Sequence, residues 1–325
     1  MSQPFEASRS LTALEQHNTI IAVIEMSLSK WLVGAVVPGV KRQPLKKLNA
    51  DQERLLTLLH RWRTEAEQAG HPIKRVVVAY EAGRDGFWLA RWLRMHDVEA
   101  YVIHPTSIAV SREHRRAKTD RLDTELLLRA LLGWLRGEKR HCSMVAIPTA
   151  EEEDAKRPNR ERDSLVTEQT RIVNQIKAIL IRFGIRSFRP KLRKAEQLLR
   201  DLRTAEGSPL PDNTRAEMYR HLVRLRMVRE QIRAVETERL QKLKAEHGRK
   251  KGPHAMVRLI ARVVGIGVET ADMLVNEVFS RQFRNRRAVA RYAGLTGPSG
   301  PGEFHPESLT DPDLILSHHP ARATA

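Results

Sequence analysis

The feature that most constrains the fold is a continuous apolar run, KRVVVAYEAG, at residues 74–83. Runs of this kind are typical of a central strand whose two faces are both covered by helices. A second apolar stretch, residues 19–37, is divided by the polar break MSLSK and predicts two antiparallel strands joined by a short turn. The other predicted elements are a helix over 51–69 with Asp51 as N-cap, a helix over 84–96 and a short strand over 100–103. Their alternation predicts a mixed α/β sheet that ends near residue 147.

The character of the chain changes after Pro148. A polar, charge-dense stretch, PTAEEEDAKRPNRERDS, is typical of a linker or of the exposed start of a helix. Residues 161–182 and 213–247 then show helical periodicity, which fits an antiparallel hairpin or a coiled-coil arm in a dimer. We therefore predict a first domain over 1–147, a linker and helical arm over 148–253, a small helical domain over 254–297 and a disordered tail over 298–325.

Charge limits the classes of partner. The 325 residues include 57 Lys and Arg against 39 Asp and Glu, a formal net charge of +18, so a large polyanion is expected. Nucleic acid is the leading candidate and an anionic membrane surface is the alternative. No apolar run is long enough to span a membrane and no signal peptide is recognisable, so we expect a soluble cytoplasmic protein without a membrane partner. The single cysteine, Cys142, excludes an intrachain disulfide framework.

Four acids are the candidates for chemistry. Glu25 and Glu81 end two predicted strands, and Asp120 and Asp123 lie three residues apart on the helix that follows the sheet. Positions three apart share one helix face, and the crevice of an open α/β sheet lies at the carboxyl ends of its strands. Converging carboxylates repel one another unless cations lie between them, and Mg²⁺ prefers such oxygen ligands, so two Mg²⁺ ions are expected. The alternative is that these acids cap a helix and lie on solvated surfaces.

Several segments in order resemble one family. VIEMSLSKWLVGAVV, VAYEAGRDGFWLARWL, VIHPTSIAVSREHRRAKTDRLDTELLLRAL and VVGIGVETADMLVNEVFSRQFRNRRAVARYAGLTG are similar to transposases of the one-ten insertion-sequence family, which includes Piv-type invertases. The resemblance spans residues 19–297, and KTDRLD following HP is its most specific part. It implies an N-terminal RuvC-like (RNase H-like) DEDD nuclease domain, followed by the helical arm and a small α-helical C-terminal domain.

The same resemblance implies site residues and partners. It places an Mg²⁺-dependent acidic site at Glu25, Glu81, Asp120 and Asp123, although the family usually has Asp where this chain has Glu25. It also implies a nucleophilic serine, which can be carried only onto Ser299. The sequence around Ser299 does not match the family, so we expect an aberrant or truncated C-terminus. A bacterial host, association with the nucleoid and an element-encoded guide RNA are further implications.

A helix-hairpin-helix is predicted at residues 263–278, with the turn at Gly265-Ile266-Gly267, where free backbone N–H groups can approach phosphates. A plain helical turn is the alternative. The residues predicted to contact DNA are Arg112, Arg115, Arg116, Lys118, Arg121, Gly265, Gly267, Arg284, Arg286 and Arg287, with Arg258, Arg262, Arg281 and Arg291 nearby. Trp88 and Trp92, four residues apart, are predicted to pack in the core.

These observations favour a transposase that cleaves and rejoins DNA strands with Mg²⁺. Two alternatives stay open at this point. One is a catalytically defective remnant that still binds nucleic acid, and the other is a RuvC-like structure-specific nuclease that uses water and needs no serine. The helical arm suggests a homo-oligomer, a dimer or a tetramer, but a two-helix hairpin in a monomer is equally compatible.

Overall fold

The computed structural model describes residues 6–83, 86–108, 120–138, 141–279 and 285–292. These residues divide into two compact units. The first unit contains the described residues up to 149 together with 285–292, and the second contains residues 150–279. Within the described residues, no helix combines the length and the apolar character needed to cross a membrane.

The first unit contains a six-stranded mixed sheet in the order β3-β2-β1-β4-β5-β6. Strands β1, β2 and β3 form an antiparallel meander, β4 and β5 run parallel to β1, and β6 is antiparallel to β5. The strands are β1 (Thr19–Met26), β2 (Lys30–Val36), β3 (Leu45–Asn49), β4 (Arg75–Glu81), β5 (Glu99–Ile103) and β6 (Met144–Val145). The predicted mixed α/β sheet is therefore present, with the apolar run of residues 74–83 at an inner position as β4.

Helices cover both faces of this sheet. One face packs against α1 (Gln52–Gln68) and α2 (Trp88–Met95), with Ile20, Ala22 and Ile24 of β1 in that core. The other face packs against α3 (Asp120–Leu135), with Ile21 and Val23 in a separate core. Because side chains alternate along a strand, odd-numbered residues of β1 lie on the α3 face and even-numbered residues lie on the opposite face.

Two predicted features of this unit have a direct structural counterpart. Asp51 caps α1, because its side chain accepts a hydrogen bond from the backbone N–H of Arg54 at 3.0 Å. The helix predicted over residues 84–96 is present but shorter, at 88–95. Strands β3 and β6 were not predicted, since β3 is a mostly exposed edge strand with two lysines and β6 has only two residues.

Cys142 provides a first testable prediction. It is 3% exposed, and burial raises the pKa of its thiol to about 12. Since the thiolate is the reactive form, native protein at pH 8 should not react with Ellman's reagent, whereas unfolded protein should release one equivalent. Its raised pKa also means that this group stabilises the fold below pH 9 and loses that contribution as the pH rises toward 12. Comparison of the pH dependence of stability with that of Cys142→Ala isolates the contribution of the thiol. Rapid labelling of the thiol in the native protein would contradict its burial.

The second unit is helical. Its helices are α4 (Ala150–Asp154), α5 (Arg157–Ile181), α6 (Ala195–Arg200), α7 (Asp212–Ala245), α8 (Pro253–Ile260) and α9 (Val268–Met273), and α9 continues into a π-helical turn at Leu274–Val278. The charge-dense stretch after Pro148 forms α4 and the beginning of α5. The segment between α5 and α7 is irregular except for α6.

Helices α5 and α7 form an antiparallel hairpin, here called the arm. Arg162 near the start of α5 pairs with Glu236 near the end of α7, at 2.8 Å between Nε and Oε1. The apolar residues between the helices include those that the periodicity indicated, such as Ile172, Ile176 and Leu225. At the tip of the arm, this core is extended by residues of the segment that joins α5 to α7, here called the connector, namely Ile185, Phe188, Leu199 and Leu210. The intrachain packing therefore matches the first of the two predicted arrangements.

A network of charged side chains, here called the base network, joins the other end of the arm to α9. Arg239 of α7 is 6% exposed and forms ion pairs with Glu269 and Asp272, the latter at 3.3 Å between Nε and Oδ2. Asn159 of α5 accepts a hydrogen bond from Arg239 at 2.8 Å and donates one to Asp272 at 2.9 Å. The hydrogen bonds and ion pairs of this buried guanidinium with Asn159, Glu269 and Asp272 therefore join α7 to α5 and α9.

The base network extends along α5. Arg162 contacts Glu269 as well as Glu236, with 3.2 Å between Nε and Oε2 of Glu269. Arg160 donates two hydrogen bonds to Glu277 in the π-helical turn, at 2.9 and 3.2 Å. Burial lowers the pKa of Arg239, and the neighbouring Arg162 acts in the same direction. These contacts place residues 254–279 in the same compact unit as the arm, whereas the predicted boundary at 253 and 254 separated them.

Candidate active site

The ends of two parallel strands bring Glu25 and Glu81 side by side. The β1–β4 register pairs Ile24 with Tyr80, and the next residue of each strand is one of the two glutamates. Neighbouring strands lie about 4.8 Å apart, so the Cα atoms of the two acids are close. Both residues continue the odd-numbered series that faces α3. Glu25 is half-buried and Glu81 is exposed.

Helix α3 begins on the same face of the sheet. Thr124 is 1% exposed and lies over Gly34 of β2, because a Cβ atom built at position 34 would come 2.6 Å from Thr124 Cγ2. Gly34 pairs with Val23, which lies two residues before Glu25 on β1, a rise of about 7 Å. The first turn of α3, with the half-buried Asp123, therefore lies near the strand ends that carry the glutamates.

The contact between Gly34 and Thr124 supports a second prediction. Gly34→Ala should destabilise the first unit by about 1–3 kcal/mol, since the added methyl group forces the start of α3 away from the sheet. The additional change Thr124→Ser removes Cγ2 and keeps the hydroxyl, so it should restore most of the loss. Urea unfolding followed by tryptophan fluorescence measures this, because all five tryptophans lie in the first unit. Equal stability of wild type and Gly34→Ala would contradict the contact.

The β1–β4 register brings the strand ends that carry Glu25 and Glu81 together, while the described side chains do not form a metal-binding group. Within the part of the chain that the structure describes, no three His, Cys, Asp or Glu side chains are grouped so as to hold a metal ion. Asp120 is the first residue of α3, and its side chain lies outside the described residues. The donor set consists of carboxylate oxygens, which fits Mg²⁺.

Trp88, which was predicted to pack in the core, is exposed near the strand ends that carry Glu25 and Glu81. Trp88, the first residue of α2, is 39% exposed, whereas Trp92 one turn later is half-buried. The prediction was wrong for Trp88 because a spacing of four shows which residues share a helix face but not that the face stays covered at the end of the helix. Trp88 contacts the buried Trp31, with 6.3 Å between ring centroids.

The residues predicted to contact DNA lie in both units. Arg121 is exposed on α3 and pairs with Glu125 at 3.1 Å, and Arg286 and Arg287 are exposed on α10 (Arg286–Tyr292). In the second unit, Gly265 has a φ of +87° within the turn between α8 and α9, and Gly267 precedes α9. The predicted residues outside the described part of the chain are Arg112, Arg115, Arg116, Lys118, Arg281, Arg284 and Ser299, and the tail over 298–325 also lies there.

The glycine turn between α8 and α9 is exposed, and Val264 within it is fully exposed. Arg258, expected to flank the turn as a DNA contact, donates hydrogen bonds to the carbonyls of Leu243 and Arg249, at 3.4 and 2.5 Å. It therefore links α8 to the end of α7. That the two helices form a helix-hairpin-helix that binds nucleic acid stays a prediction.

Comparisons with known proteins identify the family. Residues 38–184 match the model of the IS110-type DEDD transposase domain. A protein of Sinorhizobium fredii that carries the name transposase y4rJ is 41% identical over 284 residues, which cover 85% of this chain and 71% of that protein. This chain belongs to the IS110 transposase family. No solved structure matches.

Membership of the IS110 family agrees with the resemblance found in the sequence. The mixed sheet with helices on both faces fits the RNase H-like domain that a DEDD transposase has at its N-terminus. The matched range contains Glu81, Asp120 and Asp123 but begins after Glu25.

Proposed function

We propose that this chain cleaves and rejoins DNA strands during movement of an insertion sequence, at a divalent-metal site formed by Glu25, Glu81, Asp120 and Asp123. The observation that supports this most directly is the register of β1 and β4. It sets two glutamates side by side on the face of the sheet where α3 begins, and α3 carries the two aspartates in its first turn. Membership of the IS110 transposase family supports the class of reaction, which is cleavage and rejoining of DNA strands.

The four residues supply oxygen ligands of the kind that Mg²⁺ prefers. Strands β1 and β4 are paired in the sheet, and α3 packs on the sheet where Thr124 lies over Gly34. When bound, two such cations would stabilise charge on the attacking and leaving oxygens of a phosphoryl transfer. The carboxylates themselves repel the phosphate backbone, so basic residues must hold the strand. Arg121 on α3, together with the sequence neighbours Arg112, Arg115, Arg116 and Lys118, is proposed for that role.

Single-turnover cleavage of labelled DNA that carries the element's own ends tests the proposal. Cleavage should require Mg²⁺ and should stop with EDTA. Tight binding without cleavage at any Mg²⁺ concentration would instead support the catalytically defective remnant. Cleavage that is equal with Mg²⁺ and with EDTA would contradict the acidic site.

For the cleavage step we propose Ser299 as the nucleophile: its hydroxyl would attack a backbone phosphate, become esterified to one strand end and release the other end as a hydroxyl. Rejoining would follow when a DNA hydroxyl attacks this phosphoester and displaces the serine. The serine requires activation by a metal, a base or nearby cations. A covalent protein–DNA adduct should form with the wild type and be absent with Ser299→Ala. Metal-dependent cleavage that survives this substitution, without any adduct, would favour the structure-specific nuclease that uses water.

DNA binding should depend strongly on salt. Each phosphate that is neutralised contributes about −0.9 to the slope of log K against log salt for duplex DNA. We expect replacement of Arg286 and Arg287 by Gln to make the slope less negative by up to about 1.8, because both side chains are exposed. Fluorescence anisotropy at several salt concentrations measures it. A slope near zero for the wild type would exclude phosphate contacts as the main source of affinity.

Two partners remain proposals that rest on the family resemblance and on the arm. The first is a guide RNA encoded by the element, which mobility shifts with transcripts of the element's flanks would detect. The second is another copy of the chain, as a dimer or a tetramer, which light scattering with and without DNA would detect. Association with the bacterial nucleoid would follow from DNA binding.

A further inference from the structure

Trp88 is the most exposed of the five tryptophans, because Trp92 is half-buried and the other three are buried. The residue is 39% exposed, against 2% for Trp31, 1% for Trp62 and 3% for Trp134. Isolated exposed apolar residues are common on protein surfaces, so exposure by itself indicates no function. The support for a function comes from how the ring is held and from where it lies.

The segment around Trp88 is fixed by a buried hydroxyl. Tyr80, which is 1% exposed, donates a hydrogen bond from its hydroxyl to the carbonyl of Gly86 at 3.1 Å. The same hydroxyl accepts a hydrogen bond from the backbone N–H of Ala90 at 3.3 Å. These two contacts lie on either side of Trp88 in the chain. Its backbone is therefore attached to the end of β4, at the residue directly before Glu81.

A second tryptophan also contacts the indole ring of Trp88 on one side. The ring of Trp88 lies against the buried Trp31, with the two rings inclined by 40°. Trp31 pairs across β1 and β2 with Met26, the residue after Glu25. A ring supported on one side and open on the other costs little entropy to order, which is what a stacking surface for a flat ligand requires.

Trp88 and the acids share one edge of the sheet but flank it from opposite faces. Trp31 and Tyr80 belong to the core on the α1 and α2 side, whereas Glu25 and Glu81 continue the series that faces α3. The turn between β1 and β2 lies at the same edge and presents Leu28, which is 72% exposed. A nucleic-acid strand that crosses this edge with a phosphate toward the acids would bring a neighbouring base toward Trp88.

We propose that Trp88 is a base-stacking residue that holds one unpaired base of the DNA strand whose phosphate lies at the acidic site. This inference rests on the proposed function, because it assumes that DNA is bound at that edge. Stacking on an aromatic ring tolerates any base, so Trp88 positions the strand without reading its sequence. Truncation to Ala should weaken single-strand binding about 5- to 140-fold.

The test uses the full chain and a short oligothymidylate, with Ca²⁺ in place of Mg²⁺. Tryptophan emission of the wild type should fall on binding, and that change should disappear in Trp88→Phe and in Trp88→Ala. Anisotropy of a labelled oligonucleotide gives the affinity, which should remain close to that of the wild type for Trp88→Phe and fall for Trp88→Ala. Met95→Ala is the matched control, since Met95 is 74% exposed at the other end of α2.

Three outcomes would overturn the inference. If Trp88→Ala binds the oligothymidylate as the wild type does, DNA binding stands and the stacking role is wrong. If oligouridylate quenches the emission and oligothymidylate does not, the ring serves an RNA strand instead. If the wild type binds no DNA of any kind, the proposed function fails together with the inference.

Discussion

Asp123→Asn should lower the single-turnover rate of Mg²⁺-dependent strand cleavage by about a hundredfold or more. The substitution keeps the shape of the side chain and removes a negative charge. It should therefore weaken metal binding and leave folding unchanged. Removing a metal ligand costs several kcal/mol of transition-state stabilisation, and each 1.36 kcal/mol corresponds to tenfold in rate. DNA affinity should stay the same or increase, because one charge that repels phosphate is gone.

The matched control for this prediction is Glu125→Gln on the next turn of the same helix. Glu125 forms an exposed ion pair with Arg121, so its substitution removes the same charge without touching the proposed ligands. Binding of Mn²⁺, followed by electron paramagnetic resonance, separates loss of metal from loss of chemistry. If Asp123→Asn cleaves at the wild-type rate at saturating Mg²⁺, Asp123 is not part of the active site.

Arg239→Met should produce the largest change in stability among the substitutions considered. Asp272 is 5% exposed and would keep its hydrogen bond from Asn159 but lose its cationic partner. Removing one partner of a buried ion pair costs about 3–5 kcal/mol, because a charge remains without compensation in a medium that solvates it poorly. We therefore expect a loss of about 3 kcal/mol in the free energy of unfolding of the second unit.

The two units can be followed separately in this experiment. All five tryptophans lie in the first unit, so tryptophan fluorescence reports on that unit, while far-ultraviolet circular dichroism is dominated by the long helices of the arm. The circular-dichroism transition in urea should shift to lower denaturant in Arg239→Met, and the fluorescence transition should not.

A double-mutant cycle tests whether the buried pair causes the loss. The combination of Arg239→Met with Asp272→Leu should regain more than half of the lost stability, since both charges are then absent. Lys242→Met is the matched control on α7, because Lys242 pairs with Glu238 on an exposed surface at 3.1 Å and should change stability little. Additive losses in the double variant would show that Arg239 and Asp272 do not act as a pair.

The sequence predicted the elements whose signals are local. The β1 and β4 strands, the Asp51 cap and the periodic helices of the arm all follow from patterns within a few residues. Strand β3 was missed because it is a mostly exposed strand at the edge of the sheet, and its sequence LKKLN shows no alternation of apolar and polar residues. Only its pairing with β2 defines it as a strand. Patterns of burial predict strands only where one face of the strand is covered.

The candidate site was predictable in part for the same reason. The alignment of Glu25 with Glu81 follows from two strands that end in acids and run parallel. The contact between Gly34 and Thr124 joins residues 90 positions apart, although a glycine inside the apolar run of β2 was a signal of close approach. The base network had no comparable signal in the sequence. Arg239 and its partners cannot be distinguished from exposed polar residues by their local sequence, because only the packing of the helices brings them together.

The arm has separate structures at its two ends, and this makes its length adjustable. The apolar connector closes the tip and the base network fixes the other end, while the stretch between them is plain helix pairing. Removing seven residues from α5 and the seven opposite residues from α7 would shorten the arm by about 10 Å and leave both ends intact. Any spacing that the tip must span could therefore be matched by such paired deletions or insertions, without redesigning either end.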